Sequence, residues 1–248
     1  MRSTLGTRPV EASSPQGRFA SGASLIDGER LLDAEAWGKY LFAEFSGAQT
    51  LHIHLGLIGK LRRRPPDLPA GDTIRLRLSG GGVCWDLTGP ARCDLISPTD
   101  RDEIIAGLGP DPLRRAARPE QMRERIRHSA APIGALLLDQ RVVAGIGNVY
   151  RAEILFTCGI DPHRPGRSLS EDELTLIWEE TVRLMRIGRR LGRIVTTDPA
   201  EIGRPSGRMR DDERLYVYHR EHCRRCGSRI ETTSLGGRRI EHCPNHQR

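Results

Sequence analysis

The chain has 248 residues, enough for one large domain or two modest ones, and its formal net charge is +7. This basic balance favours a polyanionic partner, with nucleic acid the leading candidate, over a membrane surface, because no basic amphipathic helix or lipidation signal accompanies it. Since the sequence has neither an apolar run of about 18 residues nor a start that resembles a signal peptide, we expect a cytoplasmic protein.

The first hundred residues predict mainly strands, at positions 39–45, 51–55, 74–78 and 83–87. Residues 51–55 alternate apolar and polar side chains with the period of a half-buried strand. The turn Ser79-Gly80-Gly81-Gly82 joins the last two strands and predicts a β-hairpin with one buried face. Residues 62–66, Arg-Arg-Arg-Pro-Pro, predict a loop that is either solvated or in contact with phosphate.

After Asp100 the apolar period becomes helical, with predicted helices over 120–128, from Pro132, from Asn148 to Gly159, and from Ser170. Ser170 and Glu173 form the sequence pattern of a capping box. The helix that follows carries one apolar face, made of Leu174, Ile177, Trp178, Thr181, Leu184 and Met185. Residues 197–213 are rich in Pro, Gly, Asp and Arg and predict a linker or flexible loop.

The C-terminal tail carries two pairs of metal-ligand residues, each with a two-residue gap, separated by sixteen residues. The predicted ligands of a structural, tetrahedral Zn²⁺ are Cys223, Cys226, Cys243 and His246. His222 and His242 are alternative ligands, and His246 is preferred because it preserves the gap from Cys243. Residues 229–233 and 238–242 predict a β-hairpin between the pairs, and so small a module needs its ion to fold.

A second pattern, Gly145-Ile146-Gly147-Asn148, stands at the predicted start of a helix. The two glycines permit a tight turn, and exposed amides at a helix N-terminus suit a phosphate. Asn148 either caps the helix or donates to a phosphate oxygen. Taken locally, a plain connection between two helices explains the pattern equally well.

Residues 132–153, which include this turn, resemble the helix–two-turns–helix motif of the formamidopyrimidine and endonuclease VIII DNA glycosylases. Further segments resemble the same family, namely residues 13–20, 37–42, 52–57, 108–113 and the zinc finger, and the second actinobacterial endonuclease VIII group is the most similar. The resemblance implies an α+β fold in three parts. These are an N-terminal antiparallel β-sandwich in 1–100, a helix–two-turns–helix domain in 101–212 and a β-hairpin zinc finger in 213–248.

The resemblance also implies an activity, a partner and a set of site residues. The family excises damaged bases from duplex DNA in base-excision repair and cleaves abasic sites, after flipping the nucleotide out of the stack; this places the protein at a bacterial nucleoid. An amine attacks the sugar and forms a Schiff base, and elimination follows. By position, Lys39 and Arg238 match residues that bind phosphate and assist catalysis, Asn148 matches a phosphate-binding residue, and His54 matches a DNA contact. Leu57 matches the residue that fills the gap left by the flipped base.

The N-terminus departs from the family pattern, in which the nucleophile is a proline directly after the initiator methionine, followed by a glutamate. This chain opens Met1-Arg2-Ser3, Pro9 lies inside the chain, and Pro90-Ala91-Arg92-Cys93 lacks the family's intercalating aromatic residue. Three hypotheses follow: a misassigned start in a bifunctional glycosylase and lyase, a non-catalytic protein that binds lesions or abasic sites, or residual lyase activity from Lys39 or the Met1 amine.

Two further expectations concern partners. A full-length protein is expected to be a monomer, whereas the chain as given exposes apolar sandwich surface and is expected to be poorly soluble or oligomeric. A general zinc protein that binds RNA or undamaged DNA is the alternative from a different class, and affinity falling steeply with salt is expected in every case.

Overall fold

The computed structural model describes residues 1–6 and 8–248, which fold as two compact units, Met1–Gly107 and Leu108–Arg248. The elements of the first unit are α1 (Arg2–Leu5), β1 (Glu11–Ser13), α2 (Ala20–Ile26), β2 (Leu31–Trp37), β3 (Tyr40–Phe45), β4 (Thr50–His54), β5 (Lys60–Arg64), β6 (Ile74–Gly80), β7 (Val83–Thr88), β8 (Arg92–Ile96) and α3 (Pro98–Gly107). The strands form two antiparallel sheets, in the orders β1-β6-β7-β5 and β2-β3-β4-β8. One apolar core takes side chains from both sheets, which confirms the predicted N-terminal antiparallel β fold.

The predicted hairpin is confirmed as β6 and β7, but its single buried face was wrong. Leu76, Leu78 and Leu87 face the core. On the opposite face, Arg77 donates to both carboxylate oxygens of Asp86 at 2.7 and 2.8 Å, and both residues are buried. The hydrogen bond to Asp86 raises the pKa of the Arg77 guanidinium. Pairing the two side chains offsets the free-energy cost of burying both charges.

The predicted loop at 62–66 was wrong for its first three residues, because Arg62–Arg64 belong to β5. This strand lies at the edge of its sheet and pairs with β7, with Arg62 opposite Asp86 and Arg64 opposite Cys84. Exposed arginines are typical of an edge strand, where charge discourages pairing with another chain. The charge run therefore marks a sheet edge.

The second unit contains α4 (Pro119–Arg127), α5 (Ile133–Leu136), α6 (Asn148–Thr157), α7 (Glu171–Leu191), α8 (Pro199–Ile202), β9 (Glu231–Leu235) and β10 (Arg238–His242). The four predicted helices are thus confirmed. The capping box at Ser170 and Glu173 is present, and Gly192 ends α7 in the left-handed region with φ 66°. None of the helices in the described ranges, 1–6 and 8–248, is long and apolar enough to cross a membrane.

The predicted loop over 197–213 contains a short helix, α8, and is held by side-chain contacts. Asp198 accepts a hydrogen bond from the amide of Ala200 at 2.8 Å and so caps α8. Glu213 is buried and pairs with Arg204 and Arg210. Local composition missed these bonds because their partners lie up to nine residues apart.

The predicted C-terminal hairpin is confirmed as β9 and β10, joined at Gly236 and Gly237 with φ 61° and 72°. It is part of the second unit. The three-part domain division remains a prediction.

Candidate functional site

The turn before α6 is held in one conformation by Gln140. Its Oε1 atom accepts from the amide of Gly145 at 2.9 Å, and its Nε2 atom donates to the carbonyls of Leu138 and Ile146 at 2.9 and 3.1 Å. Gly145 has φ 97°, a conformation that L side chains rarely adopt. The turn therefore requires glycine at 145 and is braced by a side chain rather than by packing alone.

Asn148 does not cap α6, which corrects one of its two predicted roles. The N-cap is Gly147, with the extended angles φ −114° and ψ −174°, and Asn148 is the first helical residue. The Asn148 side chain donates from Nδ2 to the carbonyl of Arg239 at 2.9 Å and accepts at Oδ1 from Arg151 at 3.0 Å. The first amides of α6 have no acceptor within the helix, so this end offers donors and a positive dipole to an anion.

Arg151 joins α6 to the C-terminal hairpin, a role that was not predicted from the sequence. The side chain is fully buried. Its Nη1 atom donates to the carbonyls of Gly134 and Leu235 at 2.8 and 2.9 Å, and its Nη2 atom donates to those of Arg238 and Arg239 at 3.0 and 3.1 Å. Burial and then the charge of Arg238 lower the pKa of Arg151. A basic residue three positions after Asn148, in a helix whose only other charged residue is Glu153, was the available signal.

Arg238, a predicted phosphate ligand, is the first residue of β10, and its residue surface is exposed. Because Arg151 holds the Arg238 carbonyl and also the Asn148 amide, the structure brings these two predicted site residues into one hydrogen-bonded network. We call Gly145, Gly147, Asn148, Arg151 and Arg238 the cradle.

Glu153 on α6 is a second buried charge, and it binds the backbone of residues 216–218, just before the zinc-finger cysteines. Its carboxylate accepts from the amides of Tyr216, Val217 and Tyr218 at 2.7, 2.9 and 2.9 Å, and also from the hydroxyl of Thr196. The carboxylate is therefore fully engaged in structure, and the local pattern that contained it gave no sign of this role.

In the first unit, three cationic or titratable residues lie near one another. Lys39 lies in the turn between β2 and β3, just before β3 begins. His54 ends β4 opposite Arg92, and its ring centroid is 5.0 Å from that of Tyr40. Burial, then the charges of Lys39 and Arg92, lower the pKa of His54. Arg92, which the sequence marked only as a departure from the family pattern, thus belongs to this group.

Leu57 is the most exposed large apolar side chain among the described residues, at 82 %, and its neighbour Ile58 is 76 % exposed. Both follow Gly56, which has φ 69°. Neighbouring apolar side chains exposed to water at a turn do not stabilise the fold, so the exposure of Leu57 and Ile58 indicates a role in binding. Ile58 was not recognised from the sequence.

Three of the four predicted zinc ligands are brought together. One sulfur from each of Cys223, Cys226 and Cys243 lies within 4.8 Å of the other two, and the Cys226 and Cys243 sulfurs are 3.5 Å apart. Sulfurs around a tetrahedral zinc, each about 2.3 Å from the ion, are about 3.7 Å apart. A hydrogen bond from Ser228 lowers the pKa of Cys226 to about 7, so one thiolate is available near neutral pH. The residues fit a structural zinc.

The candidate fourth ligands lie elsewhere. The His246 ring packs on Phe156 with centroids 4.6 Å apart, and its Nε2 atom is 3.0 Å from Arg225 Nη1. His242 groups with Asp161 and His163 instead of with the cysteines, and His222 is exposed. His246 as the fourth ligand stays a prediction.

Both units of the chain match models of known protein families. A family model described as the formamidopyrimidine-DNA glycosylase N-terminal domain matches residues 6–90, and one described as the H2TH domain of that enzyme matches residues 108–199. Endonuclease 8 1 of Mycobacterium tuberculosis is 46 % identical over 245 residues, covering 95 % of this chain and 91 % of the relative. Formamidopyrimidine-DNA glycosylase of Pseudomonas aeruginosa is 31 % identical over 231 residues, covering 90 % and 84 %.

A similar solved structure is the complex between Lactococcus lactis Fpg and DNA containing an abasic site, with a TM-score of 0.78, 25 % identity and coverage of 98 % and 93 %. The mycobacterial relative carries the name endonuclease 8 1, and assignment to the second actinobacterial group stays a prediction.

Proposed function

This chain belongs to the formamidopyrimidine-DNA glycosylase and endonuclease VIII family, and on that premise we propose that it is a base-excision-repair DNA glycosylase and abasic-site lyase. Its partner is duplex DNA that contains a damaged base or an abasic site, at the bacterial nucleoid. The observation that carries the proposal is the cradle, in which one buried arginine ties a helix N-terminus to an exposed arginine on the hairpin.

The cradle binds backbone phosphate. The first amides of α6, the Asn148 amide and the Arg238 guanidinium are all donors, and phosphate oxygens accept from this set. Gly147 has no side chain to cover the helix end, which keeps those amides accessible. Such contacts position the duplex without reading its sequence.

The first unit supplies a second set of contacts. Lys39 and Arg92 lie close enough to His54 to lower its pKa, and we assign all three to the DNA backbone near the lesion. Leu57 inserts into the space left by the extruded nucleotide, because an apolar side chain replaces lost base stacking. Damaged and abasic nucleotides cost least to extrude.

Zinc, held by Cys223, Cys226, Cys243 and His246, supplies stability to the hairpin and takes no part in the reaction. Because Arg225 only donates, Nε2 of His246 accepts from it and Nδ1 carries the ring proton, so His246 would have to release Arg225 to hold the ion. The hairpin presents Arg238, so the ion acts on DNA binding through fold alone.

The lyase step requires an amine nitrogen that attacks C1′ of the abasic sugar. The hydroxyl on C1′ leaves as water and an iminium bond to the nitrogen remains. The candidate amines are the side chains of Lys39 and Lys60 and, in a protein that begins at Met1, its α-amino group. Burial and then the charge of Arg63 lower the pKa of the Met1 amine, which raises its neutral fraction at pH 7.

Borohydride trapping tests the proposal. The purified chain is incubated with duplex DNA containing one abasic site, the iminium is reduced to a stable amine, and the adduct is mapped by peptide mass spectrometry. We expect an adduct at Met1 or Lys39 and none on a duplex whose abasic site lacks the aldehyde. Lys60→Arg is the matched control and should trap as well as the unchanged chain.

An adduct only at Lys60 would contradict the assigned site, because that residue is exposed on the edge strand β5. Binding without any adduct would contradict lyase chemistry in this chain and leave lesion binding as its function.

A further inference from the structure

A second cluster of metal-ligand side chains lies in the second unit, apart from the cysteines. Asp161 and His163 follow α6, and His242 is the last residue of β10. One ligand atom from each lies within 4.8 Å of the other two. The cluster contains two imidazoles and a carboxylate, a combination typical of zinc sites that keep an open position.

His163 is held in a defined orientation by both ring nitrogens. Its Nδ1 atom is 2.7 Å from Asp161 Oδ1, and its Nε2 atom is 2.9 Å from the hydroxyl of Thr233 on β9. Because a carboxylate only accepts, Nδ1 donates its proton to Asp161, and Nε2 accepts from Thr233. When a divalent cation displaces the Nδ1 proton, Nδ1 and the carboxylate both face the ion and Nε2 donates to Thr233. A ligating histidine commonly donates its other ring proton in this way.

His242 lies more deeply in the fold than His163. The residue is 6 % exposed, and its Nδ1 atom is buried with no hydrogen-bond partner among residues 1–6 and 8–248. Its Nε2 atom is 3.7 Å from Glu231 Oε2, again on β9, and its ring lies edge-on to His163 with centroids 5.1 Å apart. A buried polar atom without a partner is uncommon and calls for an explanation.

We propose that Asp161, His163 and His242 form a second, exchangeable binding site for Zn²⁺ or a similar first-row divalent cation. The two Nδ1 atoms and the carboxylate face the ion, and β9 supplies the outer partners Thr233 and Glu231. Nitrogen and carboxylate ligands suit zinc, cobalt and nickel. The bound ion links the segment after α6 to the hairpin that presents Arg238, a link separate from the cysteine site.

Cobalt titration of the zinc-loaded chain tests this proposal. We expect one zinc per chain at the cysteines, and one further equivalent of Co²⁺ with the weak visible bands of a nitrogen and oxygen site. No intense thiolate-to-cobalt band should accompany it. His163→Gln should lose the second equivalent and keep the first. Thr233→Val should still bind the second equivalent of Co²⁺, but with a dissociation constant about 10- to 100-fold higher.

The matched control is His128→Gln, which removes an exposed histidine at the end of α4 and should bind both equivalents. Retention of the zinc equivalent by His163→Gln shows that this variant folds; if it is lost, Asp161→Asn takes its place. The proposal is overturned if the unchanged chain shows no saturable second equivalent, if His163→Gln or its substitute binds it equally well, or if a thiolate band shows that cobalt entered the cysteine site.

Discussion

Replacing Arg151 by methionine tests how much of the cradle depends on one buried side chain. Methionine keeps most of the volume but removes the Arg151 donors from the carbonyls of Gly134, Leu235 and Arg238, while the carbonyl of Arg239 keeps its bond from Asn148. A buried group left unsatisfied costs about 1–3 kcal/mol.

Only the Gly134 bond is fully buried, so water can compensate partly at the carbonyls of Leu235 and Arg238. We therefore expect Arg151→Met to lower the free energy of unfolding of the second unit by about 3–5 kcal/mol, the combined cost of the carbonyls left unsatisfied. At about 3 °C per kcal/mol, the Tm falls by about 9–15 °C.

Differential scanning calorimetry of the zinc-loaded chain measures this change. Arg190→Met is the control, because it removes an exposed arginine from α7 and should change stability by less than about 0.5 kcal/mol. Arg151→Lys should recover little, since one ammonium cannot reproduce the fork of five donors. A Tm for Arg151→Met within about 2 °C of the unchanged chain would refute the reasoning.

Three further predictions follow from the same contacts. Leu57→Ala should leave the Tm unchanged but reduce the preference for abasic over intact duplex about tenfold in competition binding. The reason is that burying a leucine side chain stabilises a complex by about 1.5–3 kcal/mol. An unchanged preference would show that Leu57 does not contact the DNA. In iodoacetamide labelling at pH 7.5, Cys226 should react only after zinc is removed by a chelator. Burial raises the pKa of Cys93 to about 12, so Cys93 should stay unmodified in both cases. Equal labelling of Cys226 with and without zinc would argue against its being a zinc ligand. The hydrogen bond from Arg164 lowers the pKa of Glu173 below its unfolded value, so its stabilisation is fully present above the unfolded pKa and is lost as pH falls through the folded pKa. Urea unfolding of Glu173→Gln should differ from the unchanged chain at pH 7, and the difference should shrink as the pH is lowered; a constant difference would contradict this.

Features encoded within a few residues were accessible from the sequence. The capping box of α7, the hairpin glycines at 236 and 237 and the paired cysteines each depend on neighbours in the chain. Such local signals carry their own physical reason, and the structure retains them.

Features that depend on distant partners were not accessible. Arg62–Arg64 form a strand because β7 lies beside them, and Asn148 is not a cap because the hairpin carbonyl of Arg239, 91 residues away, takes its amide. His242 was considered an alternative zinc ligand, but its ring groups with Asp161 and His163. Spacing along the chain does not determine which way a side chain turns.

Competition binding tests the central claim most directly. A labelled duplex with one abasic site is bound to the zinc-loaded chain, and intact duplex, abasic duplex and RNA of equal length compete at two salt concentrations. We predict that abasic duplex competes at least about tenfold better than intact duplex or RNA, that affinity falls steeply with salt, and that Arg238→Ala weakens binding to every duplex. Equal competition by all three nucleic acids would contradict lesion recognition and indicate a general nucleic-acid-binding protein.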